Sequence, residues 1–313
     1  MNKSLKKITA FIILMAIFSI SLYLVLFFKL DISNKDVILS FIRFPNALKA
    51  IVAGSCLALS GMFLQAVSKN PLADPYLTGL SSGAGLGIVL SILCFNSVNY
   101  SLFGFVGALI AAIIVISLSG FSKFSITKLI LIGLSLNIFS SSIISFLILT
   151  NADKAYAMSL ILTGGFSCAE ISNKLLLGLF ILVLAICTFF IPKLNLLRLD
   201  GQLAFKNQKE ANKFNIIFVI LSSLLTSLSV FSAGILGFVG IVCPLLMRLI
   251  FGFDYRILFF ANILIGSSLL LFSSFISNNL IYPLQVPLGI VVAFIGAPIF
   301  VFFLLKKGGM LND

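Results

Sequence analysis

Histidine and tryptophan are both absent from the 313 residues, and only nine side chains are acidic. The missing imidazole removes the commonest metal and haem ligand. No GxxxxGK[ST] stretch occurs, so the chain has no P-loop with which to bind ATP itself. Five cysteines (Cys56, Cys94, Cys168, Cys187 and Cys243) lie scattered in apolar surroundings with no paired spacing, which indicates neither a disulfide framework nor a zinc site. Charge of either sign is scarce, at 10% of residues against about 25% in soluble domains. What fills the chain instead is apolar: 60% hydrophobic residues and a mean hydropathy of +1.22. That exceeds what one globular core can bury, so lipid must solvate most of the surface.

Polar breaks divide the sequence into apolar runs at approximately 8–28, 47–67, 78–95, 101–120, 127–149, 174–192, 214–232, 239–252, 257–276 and 286–305. The expected fold is therefore an all-α polytopic membrane protein with ten transmembrane helices, one permease domain over 1–313 and no soluble domain. The first run follows Lys3, Lys6 and Lys7 but is too long for a signal-peptide core and has no small-x-small cleavage site, so it reads as a retained helix.

The net charge of +12 acquires meaning once each basic residue is placed. With both termini cytoplasmic, 15 of the 21 basic residues fall on inner segments, leaving +10 inside and +2 outside. An odd number of spans would expel one lysine-rich end. This dispersal over membrane-flanking loops also argues against nucleic acid as a partner, which requires basic residues gathered on one polar surface. All six tyrosines sit near proposed span ends and, without Trp, form the interfacial belt alone. The longest polar loop, Lys193 to Lys213, mixes Leu194, Leu197, Leu203 and Phe205 with charges. Its pattern fits short amphipathic helices, either held near anionic lipid or docking a cytoplasmic partner.

Several functional classes recede on these grounds. Ion-coupled carriers rely on ionisable groups within the membrane, whereas all nine acids here lie in loops or at span ends. A membrane enzyme needs a nucleophile, base or metal constellation, and none is visible, so no catalytic or metal-binding residue is assigned. A channel lacks a Gly-rich filter or charged ring. The spans carry small, weakly polar faces instead: Ala50, Gly54, Ala58 and Gly61 on the second, and Gly133, Asn137, Ser141 and Ser145 every four residues on the fifth. Such faces serve close helix packing or line a wet pathway, and Asn137 is equally suited to both.

The stretch RFPNALKAIVAGSCLALSGMFLQAVSKNPLADPYLTGLSSGAG, Arg43 to Gly85, resembles the permease subunits of ABC importers for ferric siderophores, haem and cobalamin. The resemblance rests on Arg43 and Pro45, the Ser60-Gly61 pair with Gln65, the Asn70-Pro71-Leu72-Ala73-x-Pro75 motif, and Gly79 with Gly83 and Ala84. Two further blocks agree in order and spacing, Gly234 to Arg256 and Val286 to Lys307. The likeness runs through nearly the whole chain and itself implies ten helices.

It also implies roles. Asn70, Leu72 and Thr127 correspond to a cytoplasmic gate, Gln65 joins Asn137, Ser141 and Ser145 as pathway lining, and Leu194, Asn195, Asp200, Gly201 and Ala204, within a 193–213 coupling loop, meet the ATPase. Arg43, Asn46, Lys49 and Asn278 correspond to the mouth on which a binding protein docks. Here the sequence departs from the family: Asn46 and Asn278 replace expected arginines, Ser274 and Gln285 occupy an expected acidic stretch, Leu245 and Ile161 stand for a His and a Trp, and the coupling glycine is displaced to Gly201. The implied assembly is two permease copies around a central pathway, two ABC ATPases holding ATP and magnesium, and one periplasmic or lipid-anchored binding protein, in a bacterial cytoplasmic (inner) membrane. Cargo is expected to be an iron–siderophore complex, with haem or cobalamin as alternatives. An ATPase-independent carrier or channel is the reading from another class, and an enzyme a distant third.

Overall fold

A computed structural model describes residues 3–28, 35–94, 99–120, 125–166, 172–198, 208–281 and 284–307. The described chain is helical nearly throughout: α1 Lys3–Phe27, α2 Lys35–Ile38, α3 Phe44–Ser68, α4 Leu80–Cys94, α5 Tyr100–Ser119, α6 Ile126–Thr150, α7 Ala155–Leu162, α8 Asn173–Arg198, α9 Gln208–Ala233, α10 Val239–Phe251, α11 Tyr255–Asn279 and α12 Leu288–Lys307. A π-turn, Leu39–Arg43, makes α2 and α3 nearly continuous. All ten apolar runs fall on helices. Among the described residues, seven helices are long and apolar enough to cross a membrane: α1, the Asp36–Ser68 rod that contains α3, α5, α6, α8, α9 and α11. Three runs become shorter apolar helices, Leu80–Cys94, Val239–Phe251 and Leu288–Phe303. At 1.5 Å per residue the 13 residues of α10 extend about 20 Å, short of a ~30 Å hydrocarbon core.

The shortening has local causes. A 3-10 turn, Pro75–Thr78, closed by Gly79 at φ +81°, precedes α4 and delays its start. Between α9 and α10 the chain unwinds over 234–238, with φ +74° at Gly234 and +66° at Phe238. A non-glycine residue in the left-handed region costs roughly 1–2 kcal/mol, so surrounding packing must hold Phe238 there. Its ring carbons indeed lie against Gly296 on α12, where an added Cβ would stand 2.7 Å from the Phe238 Cβ.

Helix α3 is the axis of the bundle. About nine-tenths of its apolar window is buried (89%), against 11% for α1 and 17% for both α6 and α8, whose apolar faces are left for lipid or another chain. In hydrocarbon no hydrophobic gain favours helix association, so close backbone approach must supply the packing. The Ala/Gly face of α3 does this: a Cβ on Gly54 would collide with the Gly266 carbonyl on α11, and one on Gly61 with the Gly240 carbonyl on α10. Hydroxyls reinforce the seams. Ser60 Oγ shares hydrogen bonds with Ser222 Oγ and Thr226 Oγ1 on α9, each 2.7 Å, and Ser55 Oγ with Ser267 Oγ at 2.8 Å. Cys56, Cys187 and Cys243 are buried free thiols within this packing, while Cys94 is exposed.

Candidate functional site

Lys69, at φ +50°, ends α3, and the following segment bends because Pro71 and Pro75 have no N–H to continue a helix. Asn70 orders the bend: its Oδ1 accepts from the Leu72 N–H at 2.9 Å and its carbonyl from the Ala73 N–H at 3.2 Å. Leu72 projects outward, 38% exposed. Together with Leu64, Asp74 and Thr78 these residues border a cavity of about 120 Å³ whose far wall is Ile126 and Leu129 of α6. The two halves of the expected gate therefore meet, but through Ile126 and Leu129. Thr127 is exposed and turns away from the cavity.

Asp74 is the residue that sequence reading passed over. It sits in a loop, yet only 7% of it is exposed, and its Oδ1 has no hydrogen-bond partner. Burial pushes the carboxyl up from 3.8 to about 7, and the nearby Tyr76 backbone N–H offsets only part of that. Gly240 makes the site possible, since a Cβ there would stand 3.0 Å from Asp74 Oδ1 and 2.9 Å from Pro75 Cδ. The detectable signal was the flanking Pro75 at the start of the 3-10 turn, which holds Asp74 in extended backbone at φ −125° and ψ 141°. Loop position alone does not mean exposure.

On α6, Asn137, Ser141 and Ser145 share one open face with Ile138, Phe146 and Leu149, bordering a concavity of about 660 Å³. Ser145 Oγ donates to the Ser141 carbonyl at 2.9 Å, as a helical serine in apolar surroundings does. Asn137 reaches sideways, its Nδ2 donating to the Tyr76 carbonyl at 2.7 Å, and so ties this face to the bent segment that borders the cavity. Gly133, the first member of the stripe, is buried beside Gly79. Gln65 does not join the face. It is 1% exposed, and its Nε2 donates to the carbonyls of Gly240 (3.2 Å) and Ile241 (3.4 Å), so it is a packing residue between α3 and α10.

At the other end of α3, Asn46, Ser274, Asn278 and Gln285 converge on one pocket of about 130 Å³ beside Gly164 and Phe166. Four separate departures in the sequence thus form one neutral, hydrogen-bonding concavity. The two cations expected there each donate to a backbone carbonyl. Arg43 Nη1 donates to the Leu26 carbonyl at 2.9 Å, closing the C-terminal end of α1, where positive charge is favoured. Lys49 is 7% exposed and its Nζ donates to the Phe166 carbonyl at 3.0 Å, which removes it from the rim.

The expected coupling segment is also redistributed. α8 continues to Arg198 and α9 starts at Gln208, so both ends of the 193–213 stretch are helical. Leu194 is fully buried, and Asn195 links α8 to α11: its Oδ1 accepts from the Tyr255 N–H at 3.0 Å and its Nδ2 donates to Asp254 Oδ1 at 3.1 Å. Asp254 also accepts from the Arg256 N–H, so the pair caps the first turn of α11. Leu194 and Asn195 are thus structural joints. Asp200, Gly201 and Ala204 lie outside the described residues.

The model of the FecCD transport family matches residues 7–306. The chain belongs to the FecCD transport family. This FecCD chain is 32% identical over 274 residues to the vitamin B12 import system permease protein BtuC of Escherichia coli O1:K1 / APEC, covering 85% of the chain and 83% of the relative. It is 29% identical over 291 residues to the Fe(3+)-citrate import system permease protein YfmD of Bacillus subtilis (strain 168), covering 91% and 86%. Among solved structures, an inward-facing conformation of a transporter described as metal-chelate ABC type superimposes with a TM-score of 0.83 at 26% identity, covering 94% of this chain and 97% of the other.

Proposed function

We propose that this FecCD chain is the membrane-spanning permease subunit of an ATP-driven importer that carries an iron–siderophore complex into the cytoplasm by alternating access. Ten helices cross the membrane with both termini inside. Two copies face each other across a central pathway, two cytoplasmic ABC ATPases supply ATP and magnesium, and a substrate-binding protein docks on the outer face of a bacterial cytoplasmic membrane. The chain itself performs no covalent chemistry. An iron complex crosses intact inside its organic ligand, and haem and cobalamin remain alternative cargoes for the same machinery.

The observation that carries this reading is the open face of Asn137, Ser141 and Ser145, connected by the Asn137–Tyr76 hydrogen bond to the bent segment at Asn70 and Leu72. A face of hydroxyls and one amide guides a bulky solute by weak contacts, and a second copy would complete the walls. Movement of the ATPases would reach α8 and α9 through the segment that joins them. The neutral pocket at Asn46, Ser274, Asn278 and Gln285 supports docking by hydrogen bonds rather than ion pairs.

The test is reconstitution of the permease with its ATPase and binding protein in liposomes, with uptake of radiolabelled iron–siderophore measured against haem and cobalamin competitors. Uptake should require ATP and the binding protein and be competed only by the true cargo. Uptake insensitive to ATP depletion, with no ATPase subunit co-purifying, would establish a carrier or channel instead.

A further inference from the structure

Between the end of α8 and the start of α9 lies a groove of about 520 Å³ bordered by Phe189, Phe190, Pro192 and Lys193 from α8 and by Lys213, Phe214 and Ile217 from α9. Two lysines enter it from different helices and, among the described residues, no acidic side chain borders it. Glu210, one turn before Lys213, is not among the bordering residues. The ammonium of Lys193 lies 5.5 Å from the centre of the Phe214 ring, which holds the charge at the groove. Beneath the two ammonium groups the walls are apolar: Phe189 is 78% exposed and packs edge-on against Phe190, with centroids 5.3 Å apart.

We propose that this groove binds one anionic phospholipid, its phosphate between Lys193 and Lys213 and an acyl chain along Phe189, Phe190 and Ile217. The position of the groove on two apolar spans selects a lipid over a soluble protein. The aromatic residues lie inside the apolar spans Asn173–Leu197 and Glu210–Ala233, while both lysines stand within about one helical turn of the span ends. Lysines at that level place their stems along apolar surface and their charge among headgroups. Each lysine satisfies half of an electrostatic match, and the volume lies within the ~300–1,000 Å³ usual for small-molecule sites. A lipid there would brace two helices whose connection is the segment toward the ATPase. The proposal rests on the membrane placement of α8 and α9 and is independent of cargo.

Native mass spectrometry of the full-length permease, delipidated in neutral detergent, tests it. Phosphatidylglycerol, phosphatidylcholine and inorganic phosphate would be added separately to the wild type, to the K193Q/K213Q double variant and to Lys128→Gln, a change at another exposed basic position. The wild type should retain one phosphatidylglycerol per chain. Affinity should fall roughly 5-fold for each lysine removed and ~30-fold for the pair, with Lys128→Gln unchanged. Circular dichroism melts of each variant separate lost binding from lost folding, and K193R/K213R should restore retention. Equal retention by the double variant, equal binding of phosphatidylcholine, or equal occupancy by inorganic phosphate would each overturn the proposal. So would unchanged lipid retention accompanied by loss of a co-purifying ATPase, which would make the groove a protein-docking surface.

Discussion

Asp74→Asn is the perturbation with the sharpest expected consequence. Burial raises the Asp74 carboxyl from 3.8 to about 7, so between those values the folded protein holds a proton that the unfolded chain releases. An acid whose folded value is raised stabilises the folded protein fully below the unfolded value and loses that contribution as pH rises toward the folded value. The window is therefore about pH 4 to 7, with no further change above it. At ~1.4 kcal/mol per unit, the loss across the window is on the order of 4 kcal/mol, an upper figure because water entering the cavity would relieve part of it. The neutral amide of D74N has no proton to lose. Melts of detergent-solubilised protein, followed by circular dichroism because the chain has no Trp to report by fluorescence, should show the wild type losing stability between pH 5 and about 7 relative to D74N. Above that range the two should run parallel, with D74N the more stable. Other carboxylates affect both proteins alike, so the difference between the curves isolates Asp74. A difference that stays constant from pH 5 to 8, or that grows in the opposite sense, would refute the buried protonated carboxyl.

Three further expectations concern packing and the outer mouth. Gly61→Ala forces a methyl into the Gly240 carbonyl, a backbone atom held in α10, and should cost about 1–3 kcal/mol or more, measured as a lower melting temperature with the far-ultraviolet helix signal retained below it. Lys49→Met leaves the Phe166 carbonyl without its buried donor and should cost ~1–3 kcal/mol, whereas an exposed rim lysine would cost nearly nothing; an unchanged melt would return Lys49 to the rim. Because Asn46, Ser274, Asn278 and Gln285 form a neutral pocket, the association rate of the binding protein should change little as ionic strength rises from about 0.01 to 1 M. A steep fall measured by surface plasmon resonance would show that charged groups elsewhere steer docking.

Helix positions were legible because apolar runs and polar breaks are written directly along the chain, whereas the four-residue spacing of Ala50, Gly54 and Ala58 showed a small-residue face whose use, close packing against α11, only the structure chose. Individual roles were less legible. Gln65, Lys49, Leu194 and Asn195 carry residue types suited to a pathway, a rim or a partner contact, yet the Gln65 Nε2, the Lys49 ammonium and the Asn195 amide bond elements distant in sequence, and Leu194 is buried. A side chain's type and spacing say what it can bond; they do not say which backbone carbonyl lies opposite. Thr127 differs from Ile126 and Leu129 only by its angle around α6, and that angle depends on where the Asn70–Thr78 segment packs.

The scarcity of acids, the absence of His and Trp and the long apolar runs by themselves determined a helical membrane protein, because lipid leaves a backbone few other ways to satisfy its hydrogen bonds. Only tertiary structure decided which polar groups remain available. It drew Arg43 onto the end of α1 and Lys49 onto Phe166, gathered four neutral residues into one pocket, and buried Asp74 from a loop against Gly240. The physical reason is that a polar group in a low-dielectric interior must take whatever partner the packing brings within hydrogen-bond reach, and that partner is set by the fold.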